Sequence, residues 1–247
     1  MPPPNLDILR QTDDYVAINK PAGLATIPGR GETTSAFEQL ARQLSLPHTG
    51  ATDPRLRVVH RLDKDTSGVL LFAKHIESQR HLSHQFQNNT VEKEYLAIVA
   101  GRPSADEGDI DANLAPHPGN PKLMSISKQG RPARTLWKLE QRFRVHTLLR
   151  VFPKTGKTHQ IRVHLRHVGL PLAVDPLYNP TAPPLLLSLL KRDYRPTRGE
   201  DERPLIARLT LHAEKLRFKD LAETQIEIIA PLPKDFRATI NQLSKLR

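Results

Sequence analysis

The chain has 247 residues, 37 Lys and Arg against 26 Asp and Glu, a formal charge of +11, and no Cys. The missing cysteines exclude disulfides, thiolate nucleophiles and Cys-ligated zinc, and the positive excess points to an anionic partner, nucleic acid before an acidic membrane surface. Met1-Pro2-Pro3-Pro4 has neither the basic start nor the apolar core of a signal peptide. The longest greasy run, Leu185 to Leu190 interrupted by Ser188, is far too short to cross a bilayer, so a soluble cytoplasmic protein is expected.

In chain order, Leu6–Leu9 and Tyr15–Lys20 read as strands around the polar turn Gln11-Thr12-Asp13-Asp14, and Lys20-Pro21-Ala22-Gly23-Leu24 ends the second with a Pro-then-Gly turn. Ser35 and Glu38 have capping-box spacing, and Phe37, Leu40, Ala41 and Leu44 recur at helical intervals, predicting a helix over 34–45. Pro47 to Pro54 reads as loop. From Val58 to Lys74 an apolar pair leads into the charged stretch His60-Arg61-Leu62-Asp63-Lys64-Asp65, and a β-branched and aromatic run leads out. This is a loop held between two strands, with a tight turn expected at Thr66-Ser67-Gly68. Taken alone, Arg61 and Asp63 would most simply form a salt-bridged turn.

Ile76 to Asn88 reads as helix with Leu82 and Phe86 on one face. His75, His81 and His84 lack the metal-ligand spacing of a zinc hydrolase and are read as polar-face residues. Residues 91–101 alternate as a strand, 102–132 as short strands and loops including 122–126, and 133–139 and 146–151 as neighbouring strands. Gly156-Lys157-Thr158 imitates a phosphate-binding loop, but Val151 stands where that motif needs Gly, which excludes ATP binding. Thr158 offers an N-cap for a helix whose apolar row is Ile161, Leu165 and Val168, with Arg162 about a quarter-turn away. Residues 183–204 are a charged, Pro-broken segment with a short apolar helix at 185–190, either a substrate-contacting insert or a surface loop. Residues 209–218 and 225–229 read as closing strands, and 234–246 as a terminal helix burying Phe236, Ile240 and Leu243.

His60-Arg61-Leu62-Asp63 followed by Thr66-Ser67-Gly68 resembles the signature loop of the RluA-type pseudouridine synthases. Further elements follow in that family's order: Lys20-Pro21-x-Gly23, Lys93-x-Tyr95, Ala133-x-Thr135, Thr155-Gly156-Lys157-x-His159-Gln160-Ile161-Arg162-x-His164, and Leu211-His212-Ala213. One departure is Lys157 in place of the commoner Arg, which keeps the charge and loses the planar fork. The resemblance implies an α+β fold, a mixed and largely antiparallel sheet with flanking helices, where alternation alone says only mixed α and β. With Lys20-Pro21-x-Gly23 so close to Met1, a single catalytic domain over 1–247 is expected, without the small RNA-binding domain that many relatives carry ahead of it, and a monomer is expected.

The resemblance also marks Asp63, Tyr95 and Arg162 as catalytic residues, with Arg61, His60, Lys157 and His159 contacting RNA and assisting base flipping. The reaction breaks the glycosidic bond of a uridine, turns the uracil over and rejoins it through carbon 5. Nothing is oxidised or hydrolysed, so no metal or cofactor is expected. Asp63 could attack the sugar, add to the uracil or take the 2′ proton; the residues leave all three open. Asp65 stands where the signature is variable. A buried Asp tends towards its neutral form, and a guanidinium ~4 Å away opposes this by roughly 4 kcal/mol at an effective dielectric of ~20, the part the resemblance gives to Arg162. Tyr95 offers a face for uracil and a hydroxyl for proton relay. Arg61 could stack in the gap left by the flipped nucleotide. The partner is RNA, ribosomal or transfer. The competing readings are a catalytically silent RNA-binding or ribosome-assembly module on the same fold, and a metal-dependent nuclease, disfavoured because no carboxylate cluster or helical His pair appears.

Overall fold

The computed structural model describes residues 5–29, 34–46, 55–191, 194–195 and 201–246. The loop read at Pro47–Pro54 and much of the charged stretch after Lys191 lie outside the described residues. In chain order the elements are β1 (Asp7–Gln11), β2 (Tyr15–Lys20), α1 (Ala36–Gln43), β3 (Arg57–Val58), β4 (Ser67–Ala73), α2 (Ile76–Gln87), β5 (Glu92–Ala100) and β6 (Glu107–Asp111). There follow β7 (Leu114–His117), β8 (Asn120–Ile126), β9 (Arg134–Arg142), β10 (His146–Pro153), α3 (Gln160–His167), α4 (Leu187–Leu190), β11 (Leu211–Lys219), β12 (Gln225–Ile229) and α5 (Lys234–Lys245). Every strand pair with a described register is antiparallel, and the class is α+β. Among the described residues no helix is long and apolar enough to cross a membrane.

The chain packs as two compact units, Met1–Glu94 with Ala213–Pro231, and Tyr95–His212 with Leu232–Arg247. In the first, the strand order is β1-β2-β4-β11-β12, with short β3 also on β4. All seven residues of β4 are buried, as a strand covered on both faces requires. Val69, Leu71 and Ala73 face a cluster with Tyr15, Leu82, Leu216, Phe218, Ile226 and Ile228, while Phe72 packs on Phe37 of α1 with ring centroids 6.0 Å apart. Helix α1 starts where its spacing predicts, since the Ser35 side chain accepts the Glu38 N–H. Helix α2 is capped by a histidine that the sequence reading left on the polar face: His75 Nδ1 accepts the Ser78 N–H.

In the second unit the order is β5-β10-β9-β6, with β7 and β8 as a separate hairpin. The predicted pairing of β9 with β10 is present, bulged between Leu148 and Leu149. Helix α3 lays Ile161 and Leu165 on a core with Ala97, Val99, Leu149, Val151 and Leu211. Its apolar row stops short of expectation, because Val168 is the C-cap and is 43% exposed. Thr158 is not the N-cap either. His159 holds that place in the left-handed region at φ 55°, with no side-chain cap bond. Helix α4 is a single turn rather than the six residues expected. Helix α5 buries Phe236 and Leu243 in a core with Leu96, Ile98, Phe143 and Leu148.

Candidate active site

The signature loop belongs to the first unit, and backbone contacts fix it on both sides of Asp63. Thr26 Oγ1 donates to the Leu62 carbonyl at 2.9 Å and accepts the Leu62 N–H at 3.1 Å. On the far side Lys20, wholly buried, donates through Nζ to the carbonyls of Pro21, Leu24 and Lys64 at 2.9, 2.8 and 2.9 Å. The Gly23 N–H adds a 3.0 Å bond to the same Lys64 carbonyl, at a turn whose φ of +82° suits glycine. A buried ammonium needs such acceptors, and here the loop carbonyls supply them. The turn falls earlier than expected, with Thr66 N–H donating to the Asp63 carbonyl at 3.1 Å, so Ser67 and Gly68 already belong to β4. Asp63 is half-buried, whereas Arg61 and Asp65 are exposed.

Gly68 is required by a close approach. A Cβ there would lie 2.1 Å from the Ala213 carbonyl oxygen, and its φ is +121°. His60 holds the loop's leading edge: its Nε2 accepts the Leu71 N–H at 3.0 Å, and its ring stacks on Phe86 at 4.4 Å and 13°. Burial first, and then the positive Lys93, push its pKa down to about 3. Its ring is therefore neutral at physiological pH, with the proton on Nδ1. The residue expected at the RNA thus has one ring nitrogen and one face committed to protein.

In the second unit Tyr95 pairs with Val151 in the register of β5 and β10, and packs partly buried on the core that receives Ile161 and Leu165. The Thr155–Gln160 loop is tied by one side chain. Gln160 Oε1 accepts from Thr155 Oγ1 and the Lys157 N–H, and Nε2 donates to the Arg134 carbonyl and to Thr135 Oγ1, the full capacity of a primary amide. Thr135 Oγ1 also lies 2.9 Å from His164 Nδ1, and His164 Nε2 lies 2.9 Å from the Ala112 carbonyl. Since that carbonyl can only accept, Nε2 carries the proton and Nδ1 accepts from Thr135. Burial, above all, lowers the pKa of His164 and preserves this tautomer.

Arg162 is buried, and the partner that grips it was not foreseen. Its Nε and Nη2 donate to the two carboxylate oxygens of Asp175 at 2.8 and 2.7 Å, with side-chain exposures of 5% and 1%. Asp175 Oδ1 also accepts the N–H groups of Leu177 and Tyr178 at 3.0 and 3.1 Å. The guanidinium carbon lies 5.0 Å from the centre of the Tyr178 ring, a cation–π arrangement. The Tyr178 hydroxyl accepts the Met124 N–H from β8 and lies 2.8 Å from His159 Nδ1, so His159 and Arg162 converge on one side chain.

The sequence patterns single out Asp63, Tyr95 and Arg162 as candidates, but not Lys20 and Thr26, which hold the loop around Asp63, nor Gln160, Asp175 and Tyr178 around α3. Lys20 stood at the edge of a turn, and nothing local to it, to Asp175 or to Tyr178 showed that these side chains are buried. Asp63 lies in the first unit and Tyr95 and Arg162 in the second. Among the described residues no group of three or more His, Asp or Glu is placed to hold a metal.

Residues 14–167 match the family model described as RNA pseudouridylate synthase. The chain is 38% identical to ribosomal large subunit pseudouridine synthase D of Nitrosomonas europaea, covering 98% of this chain and 66% of that relative. To the protein of the same name in Haemophilus ducreyi it is 36% identical, covering 96% and 70%. The chain therefore spans about two thirds of the length of these curated relatives. Among solved structures, human RNA pseudouridylate synthase domain containing 4 superposes with a TM-score of 0.72 at 26% identity, over 96% of this chain and 93% of that one.

Proposed function

The chain belongs to the RNA pseudouridylate synthase family, and we propose that it converts uridine to pseudouridine in ribosomal RNA of the large subunit, with Asp63 as the carboxylate that acts on the nucleotide. The observation that carries the assignment of Asp63 is the anchoring of its neighbours. Leu62 is held through both backbone polar groups by Thr26, and the Lys64 carbonyl by the buried ammonium of Lys20. A backbone fixed on both sides of Asp63 limits where its side chain can start from, which an orientation-dependent reaction needs. The ribosomal substrate is inferred from the relatives in Nitrosomonas and Haemophilus, each a ribosomal large subunit pseudouridine synthase D.

The other roles follow the resemblance. Arg162 is the catalytic guanidinium, and its burial with Asp175 gives it one orientation. Tyr95 stacks on uracil and relays a proton. Exposed Arg61 stacks where the flipped nucleotide leaves a gap, and Lys157 and His159 meet the backbone phosphates. The excess of Lys and Arg favours RNA and makes affinity fall with salt. The test is release of tritium from RNA labelled at uridine carbon 5, measured for wild type and Asp63→Asn with and without chelator. Release that survives chelator and vanishes in the variant, with RNA binding retained, is expected. No release from wild type would leave a binding module, and chelator-sensitive strand scission would reveal a nuclease.

A further inference from the structure

The Arg162 guanidinium is held by two groups, Asp175 against its edge and the Tyr178 ring against its face. Both are set by the same short turn, because Asp175 Oδ1 also takes the N–H groups of Leu177 and Tyr178. The turn is itself tethered: the Tyr178 hydroxyl accepts from Met124 of the β7–β8 hairpin and bonds to His159 at the start of α3. The hydroxyl and His159 Nδ1 share a hydrogen bond of 2.8 Å whose direction follows the imidazole tautomer. Hairpin, helix start and guanidinium are therefore linked through one phenol.

We propose that Asp175 and Tyr178 are positioning residues for the reaction. The carboxylate fixes the plane of the Arg162 guanidinium, and the phenol fixes where the ring beneath it sits, passing the position of the β7–β8 hairpin to Arg162. The proposal rests on the role given to Arg162 above. Displacing a group by ~1 Å in such a site can cost about a hundredfold in rate with little effect on binding. Asp175→Asn keeps an Oδ1 for the Leu177 and Tyr178 N–H groups while losing the charge and one of the two bonds to the guanidinium. Tyr178→Phe keeps the ring and cuts only the tether.

The experiment measures single-turnover tritium release on a carbon-5-labelled large-subunit ribosomal RNA transcript, RNA affinity by fluorescence anisotropy, and the Arg162 Nε–H resonance, assigned by its loss in Arg162→Lys. Expected are a fall of about a hundredfold in rate for Asp175→Asn and about tenfold for Tyr178→Phe. Affinity should stay within about twofold, and the Nε–H resonance should shift in both, which general loosening of the fold would not produce at constant affinity. If Asp175→Asn fails to fold, as a buried arginine without its carboxylate can cause, Tyr178→Phe decides alone. Folded variants with wild-type rates and an unshifted resonance, beside an inactive Arg162→Lys, would overturn the positioning role and leave that of Arg162 standing. A fully active Arg162→Lys would instead remove Arg162 from the reaction, and this inference with it.

Discussion

The ammonium of Lys20 lies 2.9 Å from the carbonyl oxygen of Lys64, the residue that follows Asp63. It is wholly buried, and it makes two further bonds to the carbonyls of Pro21 and Leu24. A positive charge at the end of β2 thus serves as a fastening for the signature loop.

Replacing it should separate this role from mere bulk. Lys20→Met keeps the stem and removes this donor from the carbonyls of Pro21 and Leu24, while the Lys64 carbonyl keeps the Gly23 N–H; a carbonyl left unsatisfied costs about 1–3 kcal/mol if it stays dry. Chemical denaturation should show a loss of about 2–4 kcal/mol, and tritium release should fall by more than tenfold at protein concentrations where the variant is folded. Lys20→Arg should not restore the rate, because a planar fork cannot meet carbonyls arranged around an ammonium.

Gly68 is predicted to tolerate no side chain. A Cβ would overlap the Ala213 carbonyl at 2.1 Å, and a backbone atom cannot swing aside as a side-chain tip can. Gly68→Ala should therefore cost several kcal/mol, well above the ~1 kcal/mol typical of point substitutions. Denaturation midpoints read this directly, and an unchanged midpoint would refute the close approach of the two backbones.

The half-buried His60 makes stability depend on pH with a definite sign. Its pKa is about 3 in the folded chain against an ordinary 6.5. Between those values the unfolded chain binds the extra proton, so stability rises with pH there. The full contribution is present above pH 6.5 and is lost as pH falls towards 3. The wild type should therefore lose stability more steeply than His60→Gln across that window, by up to about 1.4 kcal/mol per pH unit. Parallel curves would show that the imidazole does not carry the effect.

Tyr95→Phe keeps the ring on the β5 surface and removes the hydroxyl. If the phenol relays a proton, single-turnover rate should drop by about a hundredfold or more while RNA affinity changes by less than about twofold. Equal losses in both would assign Tyr95 to binding alone.

Much of this arrangement was legible beforehand because it repeats with a period. Alternation predicted β9 and β10 as partners, and the Ser35 cap with Phe37 and Leu40 predicted α1. Asp63, Tyr95 and Arg162 could be singled out because they stand in stretches resembling a known family. What escaped notice depends on contacts between residues remote in sequence. Lysine is among the side chains least often fully buried, so nothing around Lys20 suggested that its charge is satisfied by a carbonyl 44 positions away. Thr158 looked like a cap because hydroxyls usually are. The start of α3 is organised instead by Gln160 reaching back to Thr155 and across to β9, with His159 in a left-handed conformation. Val168 fitted the apolar spacing, yet α3 ends at His167 and leaves Val168 exposed, while Ile161 and Leu165 reach the core.

The division of the chain also bears on how it is made. The core around Tyr15, Val69 and Leu71 draws Leu216, Phe218, Ile226 and Ile228 from a segment that leaves the ribosome well over a hundred residues later. During synthesis the opening segment waits with an apolar face uncovered while the whole intervening stretch of the other unit emerges. At ~5–20 residues per second that interval lasts many seconds, long enough for a growing chain to gain from a chaperone that covers the exposed strands until β11 and β12 arrive.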